Sequence, residues 1–211
     1  MPTAIEIGNL VSGGSGNSLD GGGLVPIIPD PPHKFKVKTD NVSGGSTANN
    51  QIKLGTTSTG IYNFVVEWGD GLSDTITTYN QPETTHTYAA GAGTYEITIT
   101  GVCIKWQWAA AVDKLKLIEI SNWGGTNLTI SNNTAFFGCT NLVVTATDSP
   151  TLSGDIQAGL FNCPSFTSGT ENWDTSSVTG FSSFFAFSFN WNEDISKWDI
   201  TNVTSFFQFA V

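Results

Sequence analysis

WDTSSVTGFSSF at 173–184 returns as WDITNVTSFFQF at 198–209. The tryptophan, aspartate, valine, threonine and two phenylalanines coincide between the two copies. Weaker copies come earlier, as FFGCTNL at 136–142 and LFNCPSF at 160–166, with nearly the same spacing. A fixed period between roughly 20 and 50 residues indicates stacked repeats, because one unit cannot bury its apolar face alone. The sequence therefore predicts a short solenoid over 102–211.

Phenylalanine is concentrated in these repeats, with eight of the fourteen between positions 181 and 209. Phe181, Phe184 and Phe185 are spaced i, i+3 and i+4, which predicts one face of a single helical turn with Thr179 as its N-cap. Rings at the repeat period predict an internal ladder in which Phe184 and Phe209 are core residues. An exposed carbohydrate-binding platform is the alternative.

The region before the repeats alternates short strands with turns. YNFVVEW at 62–68 is rich in β-branched and aromatic residues and is followed by GDG at 69–71, which tolerates positive φ. Other strand candidates are FKV at 35–37, IKL at 52–54, TITTY at 75–79, THTY at 85–88 and TYEITIT at 94–100. Several short strands at regular spacing indicate a β-sandwich.

Three of these stretches resemble a known family. WGDG at 68–71, THTY at 85–88 and GTYEITI at 93–99 resemble a polycystic-kidney-disease (PKD) type domain over residues 34–101. The resemblance implies an immunoglobulin-like sandwich that serves as a spacer or binding module. It implies no catalytic role.

The repeats resemble the BspA-like leucine-rich repeat surface proteins. FN at 189–190, DISKWD at 194–199 and the segments VTGF at 178–181 and VTSF at 203–206 carry the resemblance. Phenylalanine stands where that family has methionine. The alternation of 194–198 also predicts a short strand. The resemblance implies bacterial surface proteins and phage-encoded ones. The change from alternating strands to a fixed repeat period predicts that two folding units, 34–101 and 102–211, meet near residues 101–120.

Residues 1–33 predict an extended arm. Residues 12–23 are rich in Gly and Ser and cannot hold regular structure alone, and four prolines follow between 26 and 32. A flexible tail and an anchoring peptide that orders on a partner are both consistent with this composition. Residues 1–10 lack a basic and apolar secretion signal. We expect either a removed signal or another route of release.

Charge and hydropathy exclude two function classes. The net charge is −10 and all eight basic residues are lysine, so no basic patch is available for nucleic acid. Lys34, Lys36 and Lys38 alternate with apolar residues as on the solvent face of a strand. No stretch approaches the ~20 apolar residues of a membrane span, so we expect no membrane insertion.

The sequence predicts no catalytic, cofactor-binding or metal-binding residues. Cys103, Cys139 and Cys163 lack metal-ligand spacing and are expected to be buried. The two histidines are His33, in the predicted arm, and His86, where a structural role is expected. No nucleophile or nucleotide-binding motif is present.

The GDG turn carries one candidate cation site. Glu67, Asp70 and Asp74 surround this turn, and carboxylates suit a hard cation. A turn aspartate that caps its own backbone is the preferred interpretation.

The predicted function is non-enzymatic. We expect a phage virion appendage, such as a head or tail fibre or its base, that contributes to host attachment through a surface protein or glycan. The arm would bind other virion proteins. A bacterial surface adhesin and a glycan-binding accessory module are the alternatives. Because Phe206, Phe207, Phe209 and Val211 leave the array without a closing unit, we expect further chain or a homo-oligomer to cover them.

Overall fold

The computed structural model describes residues 30–110, 113–125, 128–130 and 134–211. Their secondary structure is mainly β, with two short 3-10 helices at Pro82–Thr84 and Trp108–Ala110. The prediction of a mainly β protein is therefore confirmed. An anchoring arm is predicted at 1–33, and its residues 1–29 lie outside the described residues. No helix of the described part is long and apolar enough to cross a bilayer.

The described residues form twelve strands. They are β1 His33–Lys38, β2 Gln51–Lys53, β3 Ile61–Glu67, β4 Ser73–Ile76, β5 Thr85–Thr87, β6 Thr94–Ile104, β7 Leu117–Asn122, β8 Leu128–Ile130, β9 Val143–Val144, β10 Thr151–Leu152, β11 Gly154–Asp155 and β12 Val178–Gly180. The strands expected from alternation over 35–100 are present, although the one predicted at 75–79 ends at Ile76, and the one that begins at 94 continues to Ile104.

Antiparallel pairing organises the first half of the chain around the long strand β6. The first half of β6 pairs with β1, where Phe35 lies opposite Ile97, and its second half pairs with β3. β4 extends the sheet beyond β3, and β7 extends it beyond β1. β2 and β5 form a separate ladder. Every second residue of β3 is buried, as its alternating sequence predicts.

Pairing becomes parallel after β7. Glu119 of β7 pairs with Val143 of β9, one repeat later, and β11 pairs with β12 in the same sense. Gly180 forms an isolated parallel bridge with Ser205, again one repeat later. Parallel neighbours one repeat apart arise when each unit lies on the one before it. The period of the sequence is thus also the period of strand pairing.

The turns recur with the same period. Positive φ angles occur in one series at Thr134, Ala158, Ser183 and Gln208, and in a second at Gly138, Asn162 and Phe187. Successive members of each series lie one repeat apart. The backbone therefore reverses in the same way in each described repeat, although different residues occupy the left-handed positions.

The helical turn predicted around Phe181 is wrong. The backbone N–H of Phe181 donates to Ser205 O of the next repeat at 2.9 Å, while Phe184 N–H donates to Phe181 O in a tight turn. Stacked repeats satisfy backbone groups between units, so no i→i−4 ladder is needed. Thr179 lies in β12 rather than at an N-cap. Residues 194–198, predicted as a strand, form a turn instead.

His33 does not belong to the arm. It begins β1 and is 3% exposed, with its Nδ1–H donated to Asn122 O at 2.9 Å. The extended backbone that the preceding prolines favour leads directly into the strand. Its ring lies 6.3 Å from that of Trp123 and 6.1 Å from that of Trp106.

A continuous core runs from the antiparallel strands into the repeats. The ring of Trp123 reaches Trp173, two repeats later in the chain, at 5.5 Å, which links the junction to the repeats. The division into units near residue 101 stays a prediction, and the structure joins the two parts through one sheet.

A fully buried ion pair fastens the chain between the two parts. Lys116 Nζ lies 3.2 Å from Asp113 Oδ1, and both side chains are inaccessible to solvent. Asp113 also accepts from the backbone of Thr47 and Lys53. Lys116 donates to the carbonyl oxygens of Thr47, Ala48 and Gln51, in the loop before β2 and at its start. The pair therefore fixes this loop to the start of the repeats.

Candidate functional site

The turn after β3 is held by a polar and aromatic cluster. The His86 ring stacks on Trp68 at 4.7 Å, and its Nε2 lies 2.8 Å from Asp70 Oδ2. Asp70 Oδ1 accepts from Leu72 N–H, and Asp74 Oδ2 accepts from the Trp68 indole at 2.8 Å. Burial alone would raise the pKa of Asp70, but the hydrogen bonds from His86 and Leu72 hold that pKa below its usual value. Both carboxylates are occupied in fixing the turn.

Glu67, the third residue of the candidate cation site, is exposed at the end of β3. Asp70 makes the turn-capping bond that is the preferred interpretation of this sequence. Within the described ranges, no group of three or more His, Cys, Asp or Glu side chains is arranged to hold a metal ion. Asp70 and Asp74 thus stabilise this turn through hydrogen bonds.

The three cysteines are buried and unpaired. Burial raises the pKa of the Cys103 and Cys139 thiols well above the usual value and that of Cys163 to about 12. Cys163 Sγ–H also donates to Phe136 O at 3.1 Å. A thiol that stays protonated is a poor nucleophile, so these residues act as small apolar side chains.

A cleft of about 320 Å³ opens on the repeats. Its lining residues are Ala146, Thr147, Asp148, Ser168, Gly169, Glu171, Asn172, Trp173 and Glu193. Asp148 accepts from the backbone N–H groups of Trp123 and Gly124, both at 3.0 Å. These two residues lie one repeat earlier, so the carboxylate joins neighbouring units.

Glu193 joins a later pair of units in the same way. It accepts from Gly169 N–H at 2.7 Å and from both the N–H and the hydroxyl of Thr170 at 2.8 and 2.6 Å. The Trp191 indole donates to it as well. Burial alone would raise the pKa of Glu193, but these hydrogen bonds outweigh it and lower the pKa. Asp148 and Glu193 therefore link neighbouring repeats by accepting hydrogen bonds, a role that was not predicted from the sequence, whereas Glu171, the third carboxylate of the cleft, is exposed.

A row of phenylalanine rings crosses the outside of the repeats. The ring centroids of Phe137 and Phe161 are 4.6 Å apart, those of Phe161 and Phe187 are 5.0 Å apart, and those of Phe187 and Phe189 are 5.9 Å apart. The first two side chains are half-buried, while Phe187 is 46% and Phe189 73% exposed. We call these four residues the aromatic strip. The strip thus ends in two exposed rings that contact each other.

The internal-ladder prediction holds for only part of the phenylalanine-rich segment. Phe181, Phe184 and Phe185 are fully buried, and Phe209 is partly buried against the core. The exposed members are Phe187, Phe189, Phe206 and Phe207. The sequence offered one signal of the strip, the repeat spacing of Phe137 and Phe161, but sequence alone does not show on which side a ring lies.

The repeats match a known family model. Residues 131–209, somewhat over a third of the chain, match the family described as "Mycoplasma protein of unknown function, DUF285". This match is consistent with BspA-like repeats and does not extend to the antiparallel strands. No curated protein and no solved structure gives a significant match to the chain.

Proposed function

We propose that the protein is a non-enzymatic attachment module displayed on the outside of a particle or cell. In this proposal the antiparallel strands are a PKD-type immunoglobulin-like sandwich, and the repeats are a BspA-like leucine-rich solenoid that presents the binding surface. The observation that carries it is the aromatic strip, whose rings contact one another across the repeats and whose Phe187 and Phe189 are exposed to solvent. Rigid display of exposed aromatic side chains favours recognition of a partner.

The polar side chains are consistent with this role. Asp148 and Glu193 in the cleft and Asp70 in the GDG turn accept hydrogen bonds that hold the fold, and the thiols are buried. A general acid or base needs a group free to exchange a proton with a substrate. In this proposal, these side chains serve stability and the exposed rings serve binding.

The proposal has two forms, which differ in whether a virion or a bacterial cell displays the protein. The first is a virion appendage anchored by the N-terminal arm, and the second is a bacterial surface adhesin. The match of residues 131–209 to a family described from Mycoplasma, a cellular source, favours the second form. In either form, the partner is a host-surface glycan or protein.

Immunogold electron microscopy with antibodies against the full chain tests the proposal. Label on purified particles supports the virion form, and label on the outer face of unlysed cells supports the adhesin form. Label confined to the cell interior, together with no binding of the purified chain to host cells, would refute both.

A further inference from the structure

We propose that the aromatic strip is a binding site for a neutral saccharide, centred on Phe187 and Phe189. This inference rests on the proposed attachment function and adds to it the site and the chemical class of the ligand.

The backbone at Phe187 is the first argument. Its φ is +61°, and the equivalent positions one and two repeats earlier hold Asn162 and Gly138. Glycine and asparagine adopt this left-handed conformation readily, whereas a bulky residue there costs about 1–2 kcal/mol. The Phe187 ring is 46% exposed, so burial recovers only part of that cost. The turn requires this backbone conformation in each described repeat, so at Phe187 it holds a half-exposed ring where the earlier repeats have glycine and asparagine.

The arrangement of the rings is the second argument. Phe187 and Phe189 meet at 87°, so the two rings form a corner that a small ring can enter. The face of a phenyl ring is electron-rich. The C–H groups on one face of a pyranose carry partial positive charge and pack on such a surface, while its hydroxyls remain free for polar partners.

Two of the strip residues are followed in the sequence by asparagines that could bind the hydroxyls of a saccharide. Asn190 follows Phe189, is exposed, and donates its amide N–H to Pro164 O at 2.7 Å. That bond fixes the amide and leaves Oδ1 as an acceptor for a hydroxyl. Asn162 follows Phe161 and is exposed as well. A few fixed polar groups around an aromatic surface are typical of small-ligand sites.

The charge distribution decides between neutral and charged glycans. Residues 156–170 and 175–192, which supply three of the four strip residues, contain no charged side chain in a chain of net charge −10. Lys114 Nζ lies 5.8 Å from the Phe137 ring, at the opposite end from Phe189. A sialylated or phosphorylated glycan would find repulsion from the chain as a whole and no cation beside Phe187 and Phe189. An uncharged saccharide meets neither obstacle.

The test uses the full chain on an array of neutral hexose and N-acetylhexosamine oligosaccharides, with sialylated and sulfated glycans beside them, followed by calorimetric titration of the neutral glycans bound. The double variant Phe187→Asn, Phe189→Ser should lose about tenfold or more in affinity. Because asparagine suits the left-handed position, this variant should melt at or above the wild-type temperature. Phe207→Ser is the matched control, since Phe207 is 69% exposed and has no ring contact within the described chain. It should bind within about twofold of wild type.

Binding of neutral glycans that is lost in the double variant and kept in the control supports the site. Absence of neutral binding, preference for charged glycans, or equal losses in both variants would overturn it. The inference also fails if the double variant still attaches to host cells as wild type does, although the attachment function then stands. A chain that attaches to no surface at all refutes the proposed function instead.

Discussion

Acid should destabilise the protein through His33. The imidazole is buried at the start of β1, donates Nδ1–H to Asn122 O, and stacks on Trp123. Its Nε2 has no hydrogen-bond partner in the described part of the chain. A proton added there would create a buried charge without an acceptor beside it. Burial accordingly lowers the pKa of His33 from 6.5 to about 4, although Asn122 O and the negative charge of Asp148 oppose that change.

The sign and size of the effect follow from this pKa. Above about pH 6.5, His33 is neutral in both the folded and the unfolded chain. As the pH falls towards 4, the unfolded chain binds the proton and the folded chain does not, so the free energy of unfolding decreases. Each unit between the two pKa values corresponds to about 1.4 kcal/mol. His33 should therefore remove about 3 kcal/mol by about pH 4, with little further loss from this residue below that pH.

Urea unfolding followed by tryptophan fluorescence at pH 7, 6, 5 and 4 measures this loss. His33→Phe keeps a ring against Trp123 and cannot titrate, so it should start about 1 kcal/mol less stable at pH 7 because the bond to Asn122 is missing. It should then lose about 3 kcal/mol less than wild type on acidification. His86→Gln keeps His33 and is the control that retains the loss. Parallel curves for wild type and His33→Phe would refute the reasoning.

Three further outcomes are expected. Lys116→Met, measured by urea unfolding, should cost about 3–5 kcal/mol, because it leaves Asp113 charged, buried and unpaired; a cost below about 1 kcal/mol would contradict the pairing. Phe184→Ala should cost about 3–5 kcal/mol in the same assay, and Phe209→Ala clearly less, because Phe184 is 1% exposed and Phe209 only partly buried. Glu193→Ala should cost about 1–2 kcal/mol at pH 7 by removing the acceptor for Thr170, and this difference from wild type should shrink as the pH falls below the usual glutamate pKa; an unchanged difference at pH 3 would count against it.

The local sequence pattern was sufficient to predict structure where a residue's environment depends on its own strand. The alternation of 62–68 gave β3 and its buried face, and the glycines of GDG take the positive φ angles expected of them. The repeat period of the sequence is also found in the structure, because strands of successive units pair with each other. These features are determined by residues that lie close together in the sequence or at one fixed spacing.

Prediction failed where the partner lies one repeat away. The i, i+3, i+4 spacing of Phe181, Phe184 and Phe185 fits a helix and a stack of tight turns equally well, and hydrogen bonds to the next repeat decide in favour of the turns. The roles of Asp148 and Glu193 depend on backbone N–H groups one repeat earlier in the chain. Composition cannot reveal such donors. The exposure of Phe187 likewise depends on its left-handed backbone, which no local rule would assign to phenylalanine.

The junction explains why the antiparallel strands and the repeats occur in this order. A stack of repeats exposes the apolar side of its first unit unless something covers it. Here β7 pairs antiparallel with β1 on one side and parallel with β9 on the other, so the same strand closes the sheet and begins the stack. Trp123, directly after β7, packs against His33 of the sheet and Trp173 of the repeats. The antiparallel part therefore caps the array, and this capped frame fixes the orientation of the exposed rings on its outer surface.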